Sequence, residues 1–417
     1  MQKHFWFALM SLFIIAGLAL GACQPQTVAT TQAPTEAVAP ATEAPAMTEA
    51  PAMTQAPAMT EAPAVTEAMP ATEAPTEAIA VTEPASGQVE PAKDIVIYNW
   101  SEYIDPDIYT QFTDETGIKI TEDNFSSNEE MLAKLQGGAA GYSLVVPSDY
   151  TVSIMKDEGM LAKLDHANIP NLSNLSEQFQ NTPYDPGNEY CAPYQWGTTG
   201  IGYIDGEVDT PTSWSVLFEP DPNSPTYGRT TMLDDVREAF AAALAYKGYD
   251  INTTDESQLE EAKQLLIQAK AGLAGYDSDT YEDLLASGEN LMAHGWNGDF
   301  LVAQETNDKI AYTIPQEGGV VWVDNICIPS TVSPEEKMAA EMFINFLLTP
   351  EMGAKLSEYN YYASPNKAAE ALLGEDFLND PAVYPPQEVL SKLQYIHPVG
   401  EAESVYQRLW DEVKSAP

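Results

Sequence analysis

The segment Tyr98–Tyr103 (YNWSEY) is the part of this chain whose residue types most directly suggest chemistry. It follows the apolar run Ile95–Ile97, which predicts a strand, so its side chains stand where a strand ends and a loop begins. In open α/β sheets, ligands bind at the carboxyl ends of the strands. Because the faces of Trp and Tyr rings attract cations, we expect Trp100, Ser101 and Tyr103 to hold an organic ammonium group.

Two further groups of polar residues occupy similar positions. The predicted strand Tyr142–Val146 ends in Pro147–Tyr150 (PSDY), which again places ligand-type side chains after a strand. Asp235 and Glu238 lie three residues apart, so they share one face at the start of a predicted helix. The same spacing also fits a helix that only prefers acidic residues near its N-terminus, and the residues alone leave both interpretations open.

The elements that must position these residues alternate between strands and helices. Hydrophobic patterning predicts strands at Ile95–Tyr98, Ile118–Ile120 and Tyr142–Val146, and helices at Asp107–Thr116, Asn128–Gln136, Leu233–Lys247, Ser257–Ala271, Pro334–Leu348 and Glu401–Val413. This alternation indicates an α/β fold with helices on both faces of the sheets. Residues 93–417 are numerous enough for two lobes rather than one core.

The N-terminal part carries targeting signals rather than a fold. Lys3 precedes an apolar run that ends in Leu20–Cys23 (LGAC), which resembles the lipobox of bacterial lipoproteins. We expect residues 1–22 to be a signal peptide and Cys23 to carry lipid, although a plain signal peptide or an uncleaved anchor fits the same run. Residues 23–92 repeat Thr, Glu, Ala and Pro with a period of about six, and such a composition predicts a disordered tether.

The net charge excludes one class of partner. The whole chain carries −45, and removing the one lysine and nine glutamates that precede residue 93 leaves −37 on the remainder. Nucleic-acid binding requires a basic surface, so we expect no nucleic-acid partner. The charge would steer cationic ligands toward the protein, but we attribute most of these carboxylates to a solubility or high-salt adaptation spread over the surface.

Several blocks occur in an order that resembles a known family: YNWSEYIDPDIYTQFTDETGIKI, LVVPSDYTVSIMKDEGML, DDVREAF, WNGDF, GGVVWVDNICIP and INFLLTPE. They resemble the periplasmic spermidine/putrescine-binding proteins of ABC importers, from about residue 95 to residue 414. The resemblance implies a two-lobed, type II periplasmic-binding-protein-like fold, with hinge strands between the lobes and the ligand in the cleft. We expect lobe 1 to comprise residues 93–192 and 327–417, and lobe 2 residues 197–322.

The resemblance also implies a ligand site. A polyamine is a flexible apolar rod with ammonium groups at fixed separations, so its site needs aromatic faces for the methylenes and carboxylates for the charges. By position in the family, the aromatic walls would be Trp100, Tyr103, Tyr150, Trp296, Trp322 and Tyr362. The ammonium acceptors would be Asp235, Glu238 and Asp324, with hydroxyl contacts from Ser101 and Ser148.

Two departures leave the preferred amine open. A Gln of the spermidine-preferring relatives falls near Ile396, where Gln394 or His397 could substitute for it. Asp299, in WNGDF, matches a carboxylate of the putrescine-preferring relatives. This chain therefore combines acidic positions from both subgroups and could accept a diamine, a triamine or a longer amine.

Cys191 and Cys327 fall in segments that the family fold would use as hinge strands. Exported proteins meet oxidising conditions, so a disulfide between these two residues is one expectation. Two buried thiols that pack as small apolar residues are the alternative.

The expected function is an extracytoplasmic, lipid-anchored and monomeric polyamine receptor that delivers its ligand to an ABC transporter permease. We expect no enzymatic activity, cofactor or metal, because no nucleophile elbow, phosphate loop or metal-ligand spacing occurs and the histidines fit ordinary surface or cleft positions. Ferric-iron capture is the nearest alternative, since Tyr361 and Tyr362 resemble the adjacent tyrosines of iron-binding relatives. A glycoside hydrolase with two acids, or a wall-structural domain that binds no small ligand, are more distant alternatives.

Overall fold

The computed structural model describes residues 89–417. The predicted signal peptide (1–22), the predicted lipidation site Cys23 and all but the last four residues of the predicted tether (23–92) lie outside the described residues.

Residues 89–417 contain nine strands and fourteen helices. The strands are β1 (Asp94–Trp100), β2 (Lys119–Phe125), β3 (Leu144–Val145), β4 (Cys191–Ile204), β5 (Thr230–Met232), β6 (Gly275–Tyr276), β7 (Met292–Trp296), β8 (Ile310–Thr313) and β9 (Val321–Cys327). The helices are α1 (Pro106–Thr116), α2 (Asn128–Gln136), α3 (Asp149–Asp157), α4 (Ser215–Phe218), α5 (Val236–Lys247), α6 (Glu256–Ala269), α7 (Tyr281–Ala286), α8 (Asn297–Gln304), α9 (Pro334–Leu347), α10 (Pro350–Asn360), α11 (Lys367–Glu370), α12 (Glu375–Leu378), α13 (Gln387–Leu390) and α14 (Glu403–Ser415). None of these helices is both long enough and apolar enough to cross a membrane.

The strands form two half-sheets that share β4, and each half-sheet is the centre of one lobe. In the first, β1 lies between β2 and β3 and is parallel to both, while β9 is antiparallel to β3 and to residues 191–198 of β4. In the second, residues 199–204 of β4 pair with β7 and β8, and β5 lies parallel to both β7 and β6. The predicted two-lobed α/β architecture is therefore confirmed.

The strands β4 and β9 connect the lobes and run antiparallel side by side. Every residue of both strands is buried, which is typical of strands covered on both faces. A disulfide joins Cys191 and Cys327, which face each other as a registered pair at the first-lobe end of these strands. The covalent link fixes the register at one end, and the other end carries Trp322 and Asp324 into the space between the lobes.

Helix α5 begins three residues later than the hydrophobic pattern predicts. Leu233 is buried after β5, and Asp235 keeps extended backbone angles while its side chain accepts hydrogen bonds from the backbone N–H groups of Arg237 and Glu238. Asp235 is therefore the residue that caps the helix rather than a residue within it. Asp235 therefore stands at the N-cap position of α5 and Glu238 in its first turn.

The last helix differs from the predicted division into lobes. The predicted lobe 1 included all of residues 327–417, but α14 packs against α5 and α6 of the second lobe. Its buried side chains Tyr406, Leu409, Trp410 and Val413 form one apolar face, and Lys263 of α6 binds Glu412 at 2.7 Å. The segment before α14 therefore forms a third connection between the lobes.

Candidate ligand-binding site

A cavity of about 330 Å³ lies between the two lobes, where the half-sheets meet the crossing strands. All twelve residues predicted to bind ligand line this cavity: Trp100, Ser101, Tyr103, Ser148, Tyr150, Asp235, Glu238, Trp296, Asp299, Trp322, Asp324 and Tyr362. Eight of the twelve are buried, and Ser101 alone among them is exposed. The structure thus brings together residues that are up to 262 positions apart in the sequence.

The turn after β1 directs the first of these residues inward. Trp100 ends the strand and donates from Nε1 to the carbonyl oxygen of Val146, at 3.0 Å. Glu102 has a φ of 53°, a left-handed conformation that few residues other than glycine adopt, and it reverses the chain direction. The reversal buries Tyr103, whose carbonyl oxygen accepts a hydrogen bond from the hydroxyl of Tyr194. Both aromatic side chains therefore reach the cavity from one tight turn.

Asp324 of β9 is held in place by two hydroxyl groups from the first lobe. Its Oδ1 accepts from Ser148 Oγ at 2.6 Å, and its Oδ2 accepts from the Tyr103 hydroxyl at 2.7 Å. Asn128 in turn donates to Ser148 Oγ, which fixes the direction of that hydroxyl. Burial raises the pKa of Asp324 to about 6, and the two hydroxyl hydrogen bonds oppose that rise.

Glu238 presents the least satisfied carboxylate oxygen of the predicted set. Its Oε1 accepts from the Thr199 hydroxyl at 3.1 Å, whereas its Oε2 is buried and has no hydrogen-bond partner. Burial and the nearby charge of Asp235 raise the pKa of Glu238 well above its usual range. Asp235 uses one oxygen to cap α5, and burial raises its own pKa to about 6. A cation beside this pair would satisfy the free oxygen and lower both pKa values.

The WNGDF segment builds the opposite wall. Asp299 accepts from the hydroxyls of Tyr281, at 2.5 Å, and Tyr362, at 2.6 Å, and burial raises its pKa to about 6. A Cβ at Gly298 would lie 2.6 Å from the Tyr362 ring and 2.3 Å from the Asn360 carbonyl oxygen. Glycine is therefore required there for the first-lobe tyrosine to reach Asp299 in the second lobe.

Several aromatic residues of the lining contact one another. The rings of Trp100 and Trp296 are 5.5 Å apart between centroids and meet edge to face. Tyr362 meets Tyr103 at 5.4 Å and Trp322 at 5.1 Å, again edge to face. The contact between Trp100 and Trp296 joins the two lobes, and all five aromatic side chains line the space between them, which suits contact with methylene groups and cations.

The lining of the cavity is strongly acidic. Ten of its residues carry carboxylates: Glu102, Asp149, Asp235, Glu238, Asp279, Glu282, Asp299, Glu305, Asp324 and Glu358. No lysine or arginine lines it within residues 89–417. Arg237 lies behind the wall, where its guanidinium binds Glu403 at 3.1 Å and stacks over the Tyr150 ring. The lining therefore combines ten carboxyl groups with no basic side chain that could neutralise them.

Six of these ten acids were not predicted as ligand-binding residues. Asp149 belongs to the PSDY segment that the sequence highlights, so its position after a strand could have identified it. Glu282 had no such signal, because it lies in the first turn of α7, and burial raises its pKa to about 9. Only the approach of α7 to the cleft makes it part of the lining.

Tyr361 and Tyr362, the adjacent tyrosines that suggested iron binding, face different surroundings. Tyr361 has a φ of 58° and donates its hydroxyl to Glu305 of the lining, but of the two tyrosines only Tyr362 itself lines the cavity. Among residues 89–417 no group of three or more His, Cys, Asp or Glu side chains could hold a metal ion. The two adjacent tyrosines therefore do not both line the cavity.

His294 is fully buried in the second lobe, contrary to the expected surface or cleft position. Both of its ring nitrogens lack a hydrogen-bond partner, and burial lowers its pKa to about 3. Near the third connection, Ile396 lines the cavity, whereas Gln394 and His397 do not. The residue that this segment contributes to the lining of the main cavity is therefore the apolar Ile396.

Comparison with known proteins identifies a common family. The family model described as "Bacterial extracellular solute-binding protein" matches residues 107–385. The chain is 38% identical over 325 residues to the spermidine/putrescine-binding periplasmic protein of Salmonella typhimurium, covering 77% of this chain and 91% of that protein. It is 35% identical over 358 residues to the putrescine-binding periplasmic protein SpuD of Pseudomonas aeruginosa, covering 81% of this chain and 97% of that protein.

Solved structures agree with these matches. The crystal structure of the TpPotD lipoprotein of Treponema pallidum superposes with a TM-score of 0.66 at 32% identity. The superposition covers 77% of this chain and 99% of that structure.

Proposed function

We propose that this chain, which belongs to the family of bacterial extracellular solute-binding proteins, captures a linear polyamine in its interlobe cleft and delivers it to an ABC transporter permease. The family consists of solute receptors rather than enzymes. The similarity to spermidine/putrescine-binding and putrescine-binding proteins supports this choice of ligand.

One observation carries the proposal: the cavity combines ten carboxylates and several aromatic ring faces, and no basic residue in the described lining. A buried, unpaired carboxylate is costly, and the cost is relieved only by protonation or by a cation. Burial raises the pKa values of Asp235, Asp299 and Asp324, because no cationic side chain in the lining compensates for their loss of contact with water. An amine with several charges and an apolar chain suits both parts of the lining.

We assign the ligand contacts accordingly. Asp324, Glu238 and Asp299 would each face an ammonium group, because each is buried or half-buried and faces the cavity. Trp322 and Trp296 would cover the methylene groups between them. The hydroxyl groups of Ser148 and Tyr103 would hold Asp324 in place, so their main role would be to position this carboxylate for the amine.

The anchoring of the protein follows from the N-terminal sequence. We propose that Cys23 is lipidated after cleavage of residues 1–22, and that residues 23–92 tether a monomeric receptor (residues 93–417) to the outer face of the cell membrane. The lipoprotein of Treponema pallidum with a similar fold supports this arrangement. In this chain, the two lobes would be residues 93–192 with 327 to about 386, and residues 197–322 with α14.

Calorimetric titration of the chain from residue 24 onward tests the proposal. Putrescine, spermidine and spermine are titrated separately, and 1,4-butanediol serves as the uncharged control of matched length. We expect saturable binding of at least one amine with a stoichiometry of about one and no heat from the diol. Absence of binding by all three amines would refute the proposed function. Ferric iron is titrated in parallel, and a tyrosinate absorption band would favour the iron alternative instead.

A further inference from the structure

A second cavity of about 280 Å³ adjoins the cleft on the side of the third connection between the lobes. The two cavities share three lining residues, Asp149, Tyr150 and Ile396. The second one, here called the side chamber, is otherwise bounded by the loop 178–184, by Val323 of β9 and by residues 395–398. An extended ligand in the cleft therefore has an adjacent space that it can enter past these three residues.

We propose that the side chamber receives one additional aminoalkyl arm of the ligand, with Asp149 as the acceptor of its terminal ammonium group. The ligand class is then a linear triamine or tetramine rather than a diamine alone. This inference rests on the proposed function, because it extends the same cleft.

Asp149 has the geometry of such an acceptor. It is 3% exposed and lies at the junction of the two cavities. One oxygen accepts from the backbone N–H of Tyr150 at 2.7 Å, and the other accepts from that of Val323 at 3.3 Å. A carboxylate can accept about four hydrogen bonds, so each oxygen keeps capacity for another donor. Among the described residues no lysine or arginine side chain binds it.

The rest of the side chamber suits an alkyl chain. Its lining includes the rings of Phe179, Tyr184 and Tyr395, together with Ile396 and Val323. Asp149 is its only carboxylate, and it contains no lysine or arginine within the described residues. Burial raises the pKa of Asp149 well above its usual range, with the charge of Asp324 adding to the rise, so an ammonium group beside it would be favoured.

Asp149 also has a purely structural role available to it, since it begins α3 and binds the backbone of β9. The substitution Asp149→Asn separates the two roles, because asparagine keeps an oxygen for one backbone N–H group but removes the charge. Asp157→Asn is the matched control, since it changes the same charge at the exposed end of the same helix.

The decisive measurement compares two ligands that differ by one amine. Spermidine and N-butyl-1,4-diaminobutane have the same chain length, but the second carries a methyl group in place of the terminal ammonium of the aminopropyl arm. For the unsubstituted protein we expect spermidine to bind about tenfold more tightly, which is the effect of about one charged pair. In Asp149→Asn this ratio should fall to about one.

A second variant tests the same assignment in case Asp149→Asn does not fold. Ser153→Phe fills the side chamber from α3, and Ser153 does not line the main cleft. We expect this variant to bind spermidine and spermine more weakly and to bind putrescine with unchanged affinity. Equal weakening of all amines, or no change in the ratio in either variant, would overturn the side-chamber assignment while leaving the proposed function intact. Absence of amine binding by the unsubstituted protein would overturn both.

Discussion

Replacing Asp324 by asparagine should stabilise the ligand-free protein and weaken ligand binding at the same time. Burial raises the pKa of this carboxyl from about 3.9 to about 6, so at about pH 7.5 it is ionised in an environment that disfavours the charge. Each pKa unit corresponds to about 1.4 kcal/mol, so the ionised form costs the folded state roughly 3 kcal/mol. Asparagine has a similar shape and can still bond to Ser148 and Tyr103, so it removes the cost and keeps most contacts.

The sign of the pH dependence follows from the raised pKa of Asp324. A carboxyl with a folded-state pKa above its unfolded value favours folding fully only at low pH, and this contribution is lost as the pH rises through about 6. The stability gained by Asp324→Asn should therefore be largest near pH 7.5 and fall below roughly 0.5 kcal/mol by about pH 4.

Binding should change in the opposite direction. Removing one partner of a buried charge pair costs about 2–5 kcal/mol, so the affinity for the preferred amine should fall at least about thirtyfold. Urea unfolding without ligand gives the stability change, and calorimetry gives the affinity, with Asp157→Asn as the control for a lost surface charge. Unchanged affinity, or a ligand-free variant less stable than the parent at about pH 7.5, would show that Asp324 does not face the ligand as a buried charge.

Three further predictions concern the same cleft and its connections. Because burial raises the pKa values of Asp235 and Asp299 to about 6, lowering the pH from about 8 to 5 should protonate both carboxyls and weaken amine binding. Calorimetry at about pH 6 in two buffers of different ionisation enthalpy should then show that binding releases protons. An affinity that does not change with pH would contradict this prediction. Trp322→Ala should weaken binding by about tenfold or more by removing a ring face from the cavity, whereas Trp322→Phe should retain part of the affinity, and equal affinities by calorimetry would exclude contact with the ligand. Mass spectrometry of alkylated, unreduced protein should find Cys191 and Cys327 unlabelled and linked, and labelling of both would show that they are free thiols.

The local elements were largely predictable from the sequence, because they depend on short-range patterns. Helix α2 has the predicted bounds Asn128–Gln136, and α1 differs from its prediction by one residue. The start of α5 was missed because the apolar Leu233 fits helical periodicity, while the Asp235 side chain caps the helix at a later position. Residue type alone did not reveal which of the two effects determines the helix boundary.

The sequence by itself determined the chemical character of the cleft: aromatic and acidic residues at strand ends, in an order shared with a known family. All twelve predicted residues line one cavity. The tertiary structure alone brought in Glu282 from α7, attached α14 to the second lobe and opened the side chamber beside Asp149. The physical reason is that both properties depend on distant segments of the chain. The pKa of a carboxyl group depends on which segments bury it, and an apolar helix face packs against whichever segment the fold brings to it. A local sequence pattern does not contain that information.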